Sequence, residues 1–385
     1  MRDMERCSHK YRAYPTDDQA RLLACTFGAV RFVWNSILDW RSKEYSLNGI
    51  KINYAKSTAR LTEMKRNPDL VWLRDVSSVA LQQALRNQAT AFSNFFAKRG
   101  RYPSFKSKHG KQSIRLVSGA FRIKSGALYI AKSDEPLRFV QSRPLPDTVT
   151  SITISKDTDG RYFVAFQGES GKTHLPPAEK KIGIDLGLGS FIATSDGETV
   201  AAPKIYRKHE AKLARLQRRL SRKQKRSRNR DKARIKVARI HARIKDARND
   251  FLHKLSTRII RENQAIAVED LNVKGMQKNR HLSKSIADAS WSEFVRQLEY
   301  KAAWYGREFV KISRWYPSSQ ICSVCGHRNG RKALDVRDWT CSACGATHER
   351  DVNAARNILA AGFAVSVCGE PVNPEQHLML QGSVR

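Results

Sequence analysis

The feature that most constrains this 385-residue chain is a repeated Cys-x2-Cys motif in its last third. Cys322 and Cys325 are followed, after 15 intervening residues, by Cys341 and Cys344. This spacing is typical of a tetrahedral zinc site with four thiolate ligands. Since four cysteines leave no open coordination position, we predict a zinc ribbon over residues 320–347 that holds one structural Zn²⁺. The alternative is that the two Cys-x2-Cys motifs occur together by chance or form a redox couple.

The charge balance predicts a polyanionic partner. The chain has 71 Lys and Arg against 36 Asp and Glu, a net charge of +35, which favours nucleic acid over a membrane surface. The first residues, MRDMERCSHK, lack the apolar core of a signal peptide, and ILAAGFAVSVCG at 358–369 is too short to span a bilayer. We therefore expect no membrane association and a cytoplasmic chain whose other cysteines are thiols.

The most basic segment is residues 204–250, with 20 Lys or Arg and 4 Asp or Glu. Leucines and isoleucines at helical spacing predict a helical hairpin within residues 204–262, with its turn near residues 226–230. A solvated charged face is the simpler interpretation, but charge of nearly one sign suits contacts with phosphates. The candidate nucleic-acid contacts are Arg215, Arg218, Arg219, Arg222, Lys223 and Arg226.

The first hundred residues read as mainly helical. Thr16 and Gln19 form a capping-box pattern that predicts a helix start. Apolar residues of the segment 78–100 also recur at helical spacing up to Phe96, with Gly100 as the closing residue. We expect residues 17–101 to form a helical domain whose apolar stripes are core.

The next segment, residues 102–175, consists of short β-prone runs. The tetrapeptide DTDG at 157–160 predicts a hairpin turn. We expect a small β-barrel or sandwich, completed by a strand from residues 1–16.

A carboxylate interrupts the β-prone sequence GIDLG at 183–187. Ile184 lies on the apolar face of the predicted strand, whereas Asp185 shares the other face with Gly183 and Gly187. That face carries no other side chain, so a bulky group could approach it closely. The alternative is an Asp-Leu-Gly turn that ends the strand.

Two further acids occupy comparable positions. Glu269 ends a second apolar strand on a face of small residues, whereas we expect its neighbour Asp270 to cap a turn. Asp351 lies at the start of a predicted helix that ends near Gly362. An acid at the start of a helix is most often a cap. Taken together, Asp185, Glu269 and Asp351 are spread along the chain as a ribonuclease-H-like nuclease requires. Their hard oxygen ligands would hold two Mg²⁺ or Mn²⁺ ions for phosphodiester hydrolysis.

These residues resemble the TnpB family of transposon-encoded RNA-guided nucleases, which are related to type V CRISPR effectors. The matching segments are YRAYPT (11–16), FGAVRFVWN (27–35), NFF (94–96), YPSFKSK (102–108), GIDLG (183–187), VEDLNVKGM (268–276), YPSSQICSVCG (316–326) and RDVNAARNI (350–358). By motif match, Asp185, Glu269 and Asp351 correspond to the three acids of a RuvC nuclease site.

The resemblance implies a multidomain α+β fold. We expect a wedge-type β-barrel, a helical recognition domain inserted in it, and an RNase H-like RuvC domain interrupted by the zinc ribbon. The expected boundaries are 1–16 and 102–175 for the barrel, 17–101 for the recognition domain, 180–319 and 348–365 for the RuvC domain, 320–347 for the ribbon, and 366–385 for a disordered tail.

The resemblance also implies an activity and partners. An omega RNA would guide the protein to double-stranded DNA beside a short flanking motif, and the single RuvC site would cut both strands. The alternatives are a guided DNA-binding repressor that does not cut and an accessory transposase with strand-transfer chemistry. We expect a prokaryotic, cytoplasmic protein that joins the nucleoid when bound to DNA, with a monomer favoured.

Overall fold

A computed structural model of the chain describes residues 4–171, 174–333 and 335–364. By their internal contacts these residues form two compact units, the first containing residues up to 171 together with 226–239, and the second containing the others. The finer domain boundaries given above stay predictions. The predicted disordered tail, 366–385, lies outside the described residues.

The β-strands belong to four sheets. They are β1 (Met4–Tyr14), β2 (Gln112–Val117), β3 (Phe121–Lys124), β4 (Ala127–Ile130), β5 (Arg138–Val140), β6 (Thr148–Lys156), β7 (Tyr162–Gly171), β8 (Lys181–Leu186), β9 (Ser190–Thr194), β10 (Thr199–Ala201), β11 (Ala265–Glu269), β12 (Glu308–Ile312), β13 (Asp338–Thr340) and β14 (Thr347–Glu349).

The α-helices vary from one turn to 35 residues. They are α1 (Asp17–Asn48), α2 (Tyr54–Arg66), α3 (Ser78–Phe96), α4 (Ile205–Ser221), α5 (Arg228–Glu262), α6 (Val273–Met276), α7 (Ser283–Ala289), α8 (Trp291–Tyr305) and α9 (Arg350–Gly362).

The first unit contains an antiparallel sheet in the order β2-β6-β7-β1-β5. The N-terminal strand therefore pairs inside the sheet, as expected. The β6–β7 turn is closed by a hydrogen bond from the Gly160 amide to the Asp157 carbonyl (3.0 Å), where the DTDG sequence predicts it. Closure into a wedge-type barrel stays a prediction.

Helix α1 begins as the capping-box pattern predicts. The Gln19 amide donates to the Thr16 side chain, and the Thr16 amide donates to the Gln19 side chain, so two otherwise unpaired helix-end amides are satisfied. By length and composition α1 could cross a membrane, but half of its apolar stretch is buried within the unit, as in a core helix.

The end of α3 differs from the expectation. The helix ends at Phe96 rather than near Gly100, because Lys98 adopts a left-handed conformation (φ 55°) and the next amides turn back to the Asn94 carbonyl. The helical spacing predicts Phe96 in the core, but the side chain is 69% exposed. Phe96 lies on the last turn of the helix, where its ring contacts those of Phe92 and Phe95 (centroid distances 6.3 and 5.3 Å).

The second unit is built on a mixed sheet in the order β10-β9-β8-β11-β12. Strands β8, β11 and β12 are parallel neighbours, whereas β9 runs antiparallel to β8. Ile184 and Val268 point into a core that also contains Trp291 and Phe294 of α8. The apolar alternation of the two acid-bearing strands is therefore as predicted.

Helix α9 covers the opposite face of this sheet. A Cβ on Gly183 would lie 2.1 Å from the Ala355 carbonyl oxygen, and a Cβ on Gly362 would lie 2.7 Å from Cβ of Ala267. The side-chain-free face beside Asp185 therefore admits a helix of this chain at Gly183. The close approach predicted for this face is therefore made at Gly183 by a helix rather than by a ligand.

The basic segment forms two helices, as predicted, but the turn between them comes earlier in the chain. Helix α4 ends at Ser221 and α5 begins at Arg228, so the turn lies at residues 222–227 rather than 226–230. All six candidate nucleic-acid contacts are exposed: Arg215, Arg218, Arg219, Arg222, Lys223 and Arg226.

Candidate active site and metal centre

Two of the predicted acids stand on adjacent parallel strands. Ile184 of β8 pairs with Val268 of β11, and the next residues along the two strands are Asp185 and Glu269. Parallel strands end at the same edge of a sheet, so the two carboxylates reach the same edge. Each is partly exposed there, whereas the residue before it is fully buried.

The third acid comes from α9, whose backbone packs against β8. The residue at the N-cap position is Glu349, and Asp351 is the second residue of the helix. Asp351 is therefore not the helix cap that its position in the sequence suggested. Its carboxylate instead forms an ion pair with Arg337 (3.0 Å), a residue between the two cysteine pairs.

All three acids line one cavity of about 370 Å³. The rest of its wall comes mainly from the segment that follows β12 and from the start of α9. These lining residues are Arg314, Trp315, Tyr316, Pro317, Ser318, Ser319, Gln320, Arg350 and Ala354. The three acids that the sequence predicts to act together thus face one space, and their role as metal ligands stays a prediction.

The electrostatics of the cavity are unfavourable for bare carboxylates. Burial, followed by repulsion from Glu269 and Asp351, raises the pKa of Asp185 to about 7. Burial, with repulsion from Asp270, raises the pKa of Glu269 to about 7. Neighbouring like charges in a poorly hydrated site are relieved by a cation, and carboxylate oxygens are the ligands that Mg²⁺ prefers. The donor set therefore fits divalent ions.

Asp270 makes different contacts from those of its neighbour Glu269. Its carboxylate forms an ion pair with Arg314, and its amide donates to the Ile312 carbonyl (3.1 Å). The turn-capping role expected for Asp270 is taken by Asn272, whose side chain accepts from the Gly275 amide (3.0 Å). Arg314 was not predicted from the sequence, since nothing local distinguishes it from the many other arginines.

The four predicted zinc ligands come together. Their sulfur atoms all lie within 4.8 Å of one another, with 3.8 Å between Cys322 and Cys344 and 3.6 Å between Cys325 and Cys341. A tetrahedral ion with Zn–S bonds of about 2.3 Å needs sulfur atoms about 3.8 Å apart. The cluster therefore fits one Zn²⁺ ion.

One residue beside the cysteines was missed. Nε2 of His348 lies 3.0 Å from Sγ of Cys322, and the side chain is buried. Imidazole N–H groups commonly support metal ligands in this way. The sequence could have suggested it, because His348 follows the second cysteine pair by only four residues.

Three family models match parts of this sequence. The OrfB/IS605 model, described as “Probable transposase”, matches residues 154–280, and a “Cas12f1-like, TNB domain” model matches residues 291–358. A “Helix-turn-helix domain” model matches residues 4–49. Over that last range the structure has strand β1 and the single continuous helix α1.

Curated relatives match nearly the whole chain. A protein of Streptomyces pristinaespiralis named “Putative RNA-guided DNA endonuclease” is 51% identical over 95% of this chain and 92% of its own length. A protein of Escherichia coli K12, “Putative RNA-guided DNA endonuclease InsQ”, is 34% identical over 94% of both chains. “TnpB-like protein L79” of Acanthamoeba polyphaga mimivirus is 25% identical over 92% of this chain and 73% of its own.

A solved structure shares the fold. The protein chain in a cryo-EM structure of the Cas12f1-sgRNA-target DNA complex matches with a TM-score of 0.55 over 89% of this chain and 83% of that chain. Sequence identity over the match is 14%, so the likeness is one of fold.

Proposed function

This chain belongs to the TnpB family of OrfB/IS605-type proteins, and from this membership we propose that it is an RNA-guided DNA endonuclease. It would bind a guide RNA of the omega RNA type, locate double-stranded DNA beside a short flanking motif, and hydrolyse both strands at one RuvC-like site. Base pairing with the guide would read the target sequence, and the protein would read only the flank.

The observation that carries this proposal is the single cavity lined by Asp185, Glu269 and Asp351. A protein that only occupied DNA would have no use for three acids at one sheet edge. Burial and repulsion there raise the pKa of Asp185, so its ionised form lowers the stability of the folded protein. The mixed sheet with helices on both faces supports an RNase H-like identity for the second unit.

The residues of the cavity have distinct proposed roles. Asp185, Glu269 and Asp351 would hold two Mg²⁺ ions, which when bound supply an activated water and stabilise the leaving 3′ oxygen. The ion pair with Arg337 fixes the Asp351 carboxylate. Arg350 lines the cavity without an acidic partner among the ion pairs described, so it is placed to attract a phosphodiester.

The basic side chains of α4 and of the turn that follows it are the proposed contacts for nucleic acid. Contacts from Lys and Arg to phosphates provide affinity that carries little sequence information and falls with salt. This property suits a protein whose specificity comes from a bound guide. The zinc ribbon would stabilise the fold next to the cavity, since four cysteines leave the ion no site for substrate.

The experiment is a cleavage assay with the protein purified together with the RNA of its own locus. Plasmids carrying a guide-matched target beside a randomised flank are incubated with and without Mg²⁺. The expected result is a linear product that requires Mg²⁺ and is enriched for one flanking motif. Asp185→Asn should abolish cleavage and leave RNA and DNA binding intact, because it keeps the size of the side chain and removes the charge.

A matched control is Asp250→Asn, which changes an exposed acid of α5 that is paired with Lys254. We expect this variant to retain most of its cleavage. Target occupied but never nicked would instead identify a guided repressor, and joined transposon ends would identify strand-transfer chemistry. Either result would refute the endonuclease proposal.

A further inference from the structure

An unusually exposed aromatic side chain stands beside the three acids. Trp315 lines the acid cavity and is 83% exposed, the highest exposure of any large apolar side chain in the described part of the chain. A single exposed apolar residue is ordinary on a protein surface. Trp315 differs because it lies at a candidate active site, on a segment that is otherwise fixed.

The neighbours of Trp315 hold its backbone in place. Arg314 pairs with Asp270, the Trp315 amide donates to the Ser313 side chain (3.3 Å), and Tyr316 packs against a small buried cluster that includes Ile358 of α9. The segment is thus fixed on both sides of the tryptophan, while the indole itself extends into solvent. A rigid backbone that presents one bare aromatic ring is suited to binding a flat ligand.

A second cavity adjoins the acid cavity. It has a volume of about 610 Å³ and shares Ser319, Gln320 and Arg350 with the first. Its other lining residues are Arg331, Lys332 and Ala333, which lie between the two cysteine pairs, so its charged lining groups are all cationic. Lys332 is held by the Ser319 carbonyl (3.4 Å) and lies 3.5 Å from the ring centre of Trp339.

We propose that Trp315 is the stacking platform of a nucleobase subsite, which binds one unpaired base of a DNA strand that reaches the acids across the adjoining cationic cavity. Arg331, Lys332 and Arg350 would contact the phosphates of that strand. The inference rests on the proposed nuclease function, which makes DNA the strand that must meet the acids.

The chemistry restricts the ligand to an unpaired strand. Every base has a flat face that stacks on an indole, so the subsite tolerates any sequence. In a duplex those faces are covered by neighbouring bases, and a base must leave the stack before it can reach a side chain. The subsite would therefore admit a strand only where the duplex has been opened, and would fix its register against the acids.

The first test locates the stacked base without relying on cleavage. The full-length protein with its RNA is bound to target DNA in Mg²⁺-free buffer. The target carries one 5-iodouracil at successive positions, and the sample is irradiated and analysed by peptide mass spectrometry. We expect one position to cross-link to Trp315. The absence of a Trp315 cross-link at every DNA position would overturn the proposal.

The second test removes one base at a time from the cut strand. At one position an abasic site should slow cleavage by the wild type about tenfold, as expected for the loss of one stacked base. Trp315→Ala should cleave intact DNA about tenfold more slowly, and the abasic site should slow this variant no further. Trp315→Phe should retain most of the rate, and Trp315→Leu should behave like the alanine variant.

The control variant is Val324→Ala, which shortens another exposed apolar side chain (68% exposed) on the first cysteine pair. Its cleavage and cross-linking should match the wild type. If Trp315→Ala cleaves like the wild type on every substrate, the subsite is wrong while the nuclease proposal stands. If the cross-link forms and no cleavage occurs under any condition, the nuclease proposal fails and the subsite stands.

Discussion

Replacing Gly183 by alanine should separate α9 from the sheet and thereby displace Asp351 from the other two acids. The added Cβ would meet the Ala355 carbonyl oxygen at 2.1 Å and the Leu359 amide nitrogen at 2.7 Å. Both atoms belong to the backbone, so no change of rotamer relieves the overlap. The helix must move by about 1 Å before the methyl group fits.

The expected cost follows from this displacement. Overpacking of a buried site destabilises by about 1–3 kcal/mol, and this site should fall at the upper end, because the obstacle is main chain. A loss of ~3 kcal/mol lowers the melting temperature of a unit of this size by roughly 6–12 °C. A misplacement of about 1 Å at an acid that holds a reacting group costs on the order of 10²-fold in rate.

Differential scanning calorimetry and the plasmid cleavage assay measure the two effects. Gly28→Ala is the matched control, because a Cβ there meets nothing closer than 4.0 Å and the residue lies inside helix α1. Alanine at such a position should stabilise the first unit by about 0.5–1 kcal/mol. A Gly183→Ala protein that melts and cleaves like the wild type would refute the close packing of α9 on β8.

Three other predictions concern the metal, the acids and the basic face. Cys322→Ser should lower the melting temperature and the bound zinc measured by mass spectrometry, whereas Cys25→Ser, outside the cluster, should change neither. In Mg²⁺-free buffer the raised pKa of Asp185 means that the folded state keeps a proton between about pH 4 and 7 that the unfolded chain has lost, so its contribution to stability falls as the pH rises through that window. Asp185→Asn should therefore melt higher than the wild type at pH 8 and about equally at pH 4; an unchanged difference across this range would contradict the shift. Neutralising three arginines of α4 should reduce the slope of log affinity for guide RNA against log salt by about 0.7 for each phosphate that is no longer neutralised, and an unaltered slope would exclude the set Arg215, Arg218 and Arg219.

The features that the sequence predicted well are those encoded by neighbouring residues. The capping box at Thr16 and the turn at Asp157–Gly160 involve residues only a few positions apart, and their hydrogen bonds form as expected. The two cysteine pairs lie further apart in the sequence, but a zinc ion bound by four thiolates allows few arrangements of the chain, so the site could still be predicted. Alternation placed Asp185 and Glu269 correctly at the ends of two buried strands.

The features that it predicted poorly depend on packing between distant segments. Gly183 has a bare face because α9, more than 160 residues later, packs on it, and no local pattern carries that information. The exposure of Phe96 depends likewise on which elements happen to cover the last turn of α3. Arg337 could not be singled out as the partner of Asp351, since the chain offers 71 cationic side chains.

The direct continuation of β14 into α9 has a consequence for how such proteins can change in evolution. Strand β14 ends at Glu349 and the helix begins at Arg350, so no linker separates the zinc ribbon from the third acid. One residue inserted at this junction would rotate Asp351 by about 100° around the helix axis and turn it out of the cavity. The junction therefore tolerates neither insertions nor deletions. The zinc ribbon and helix α9 must therefore be inherited, exchanged or engineered together as one unit.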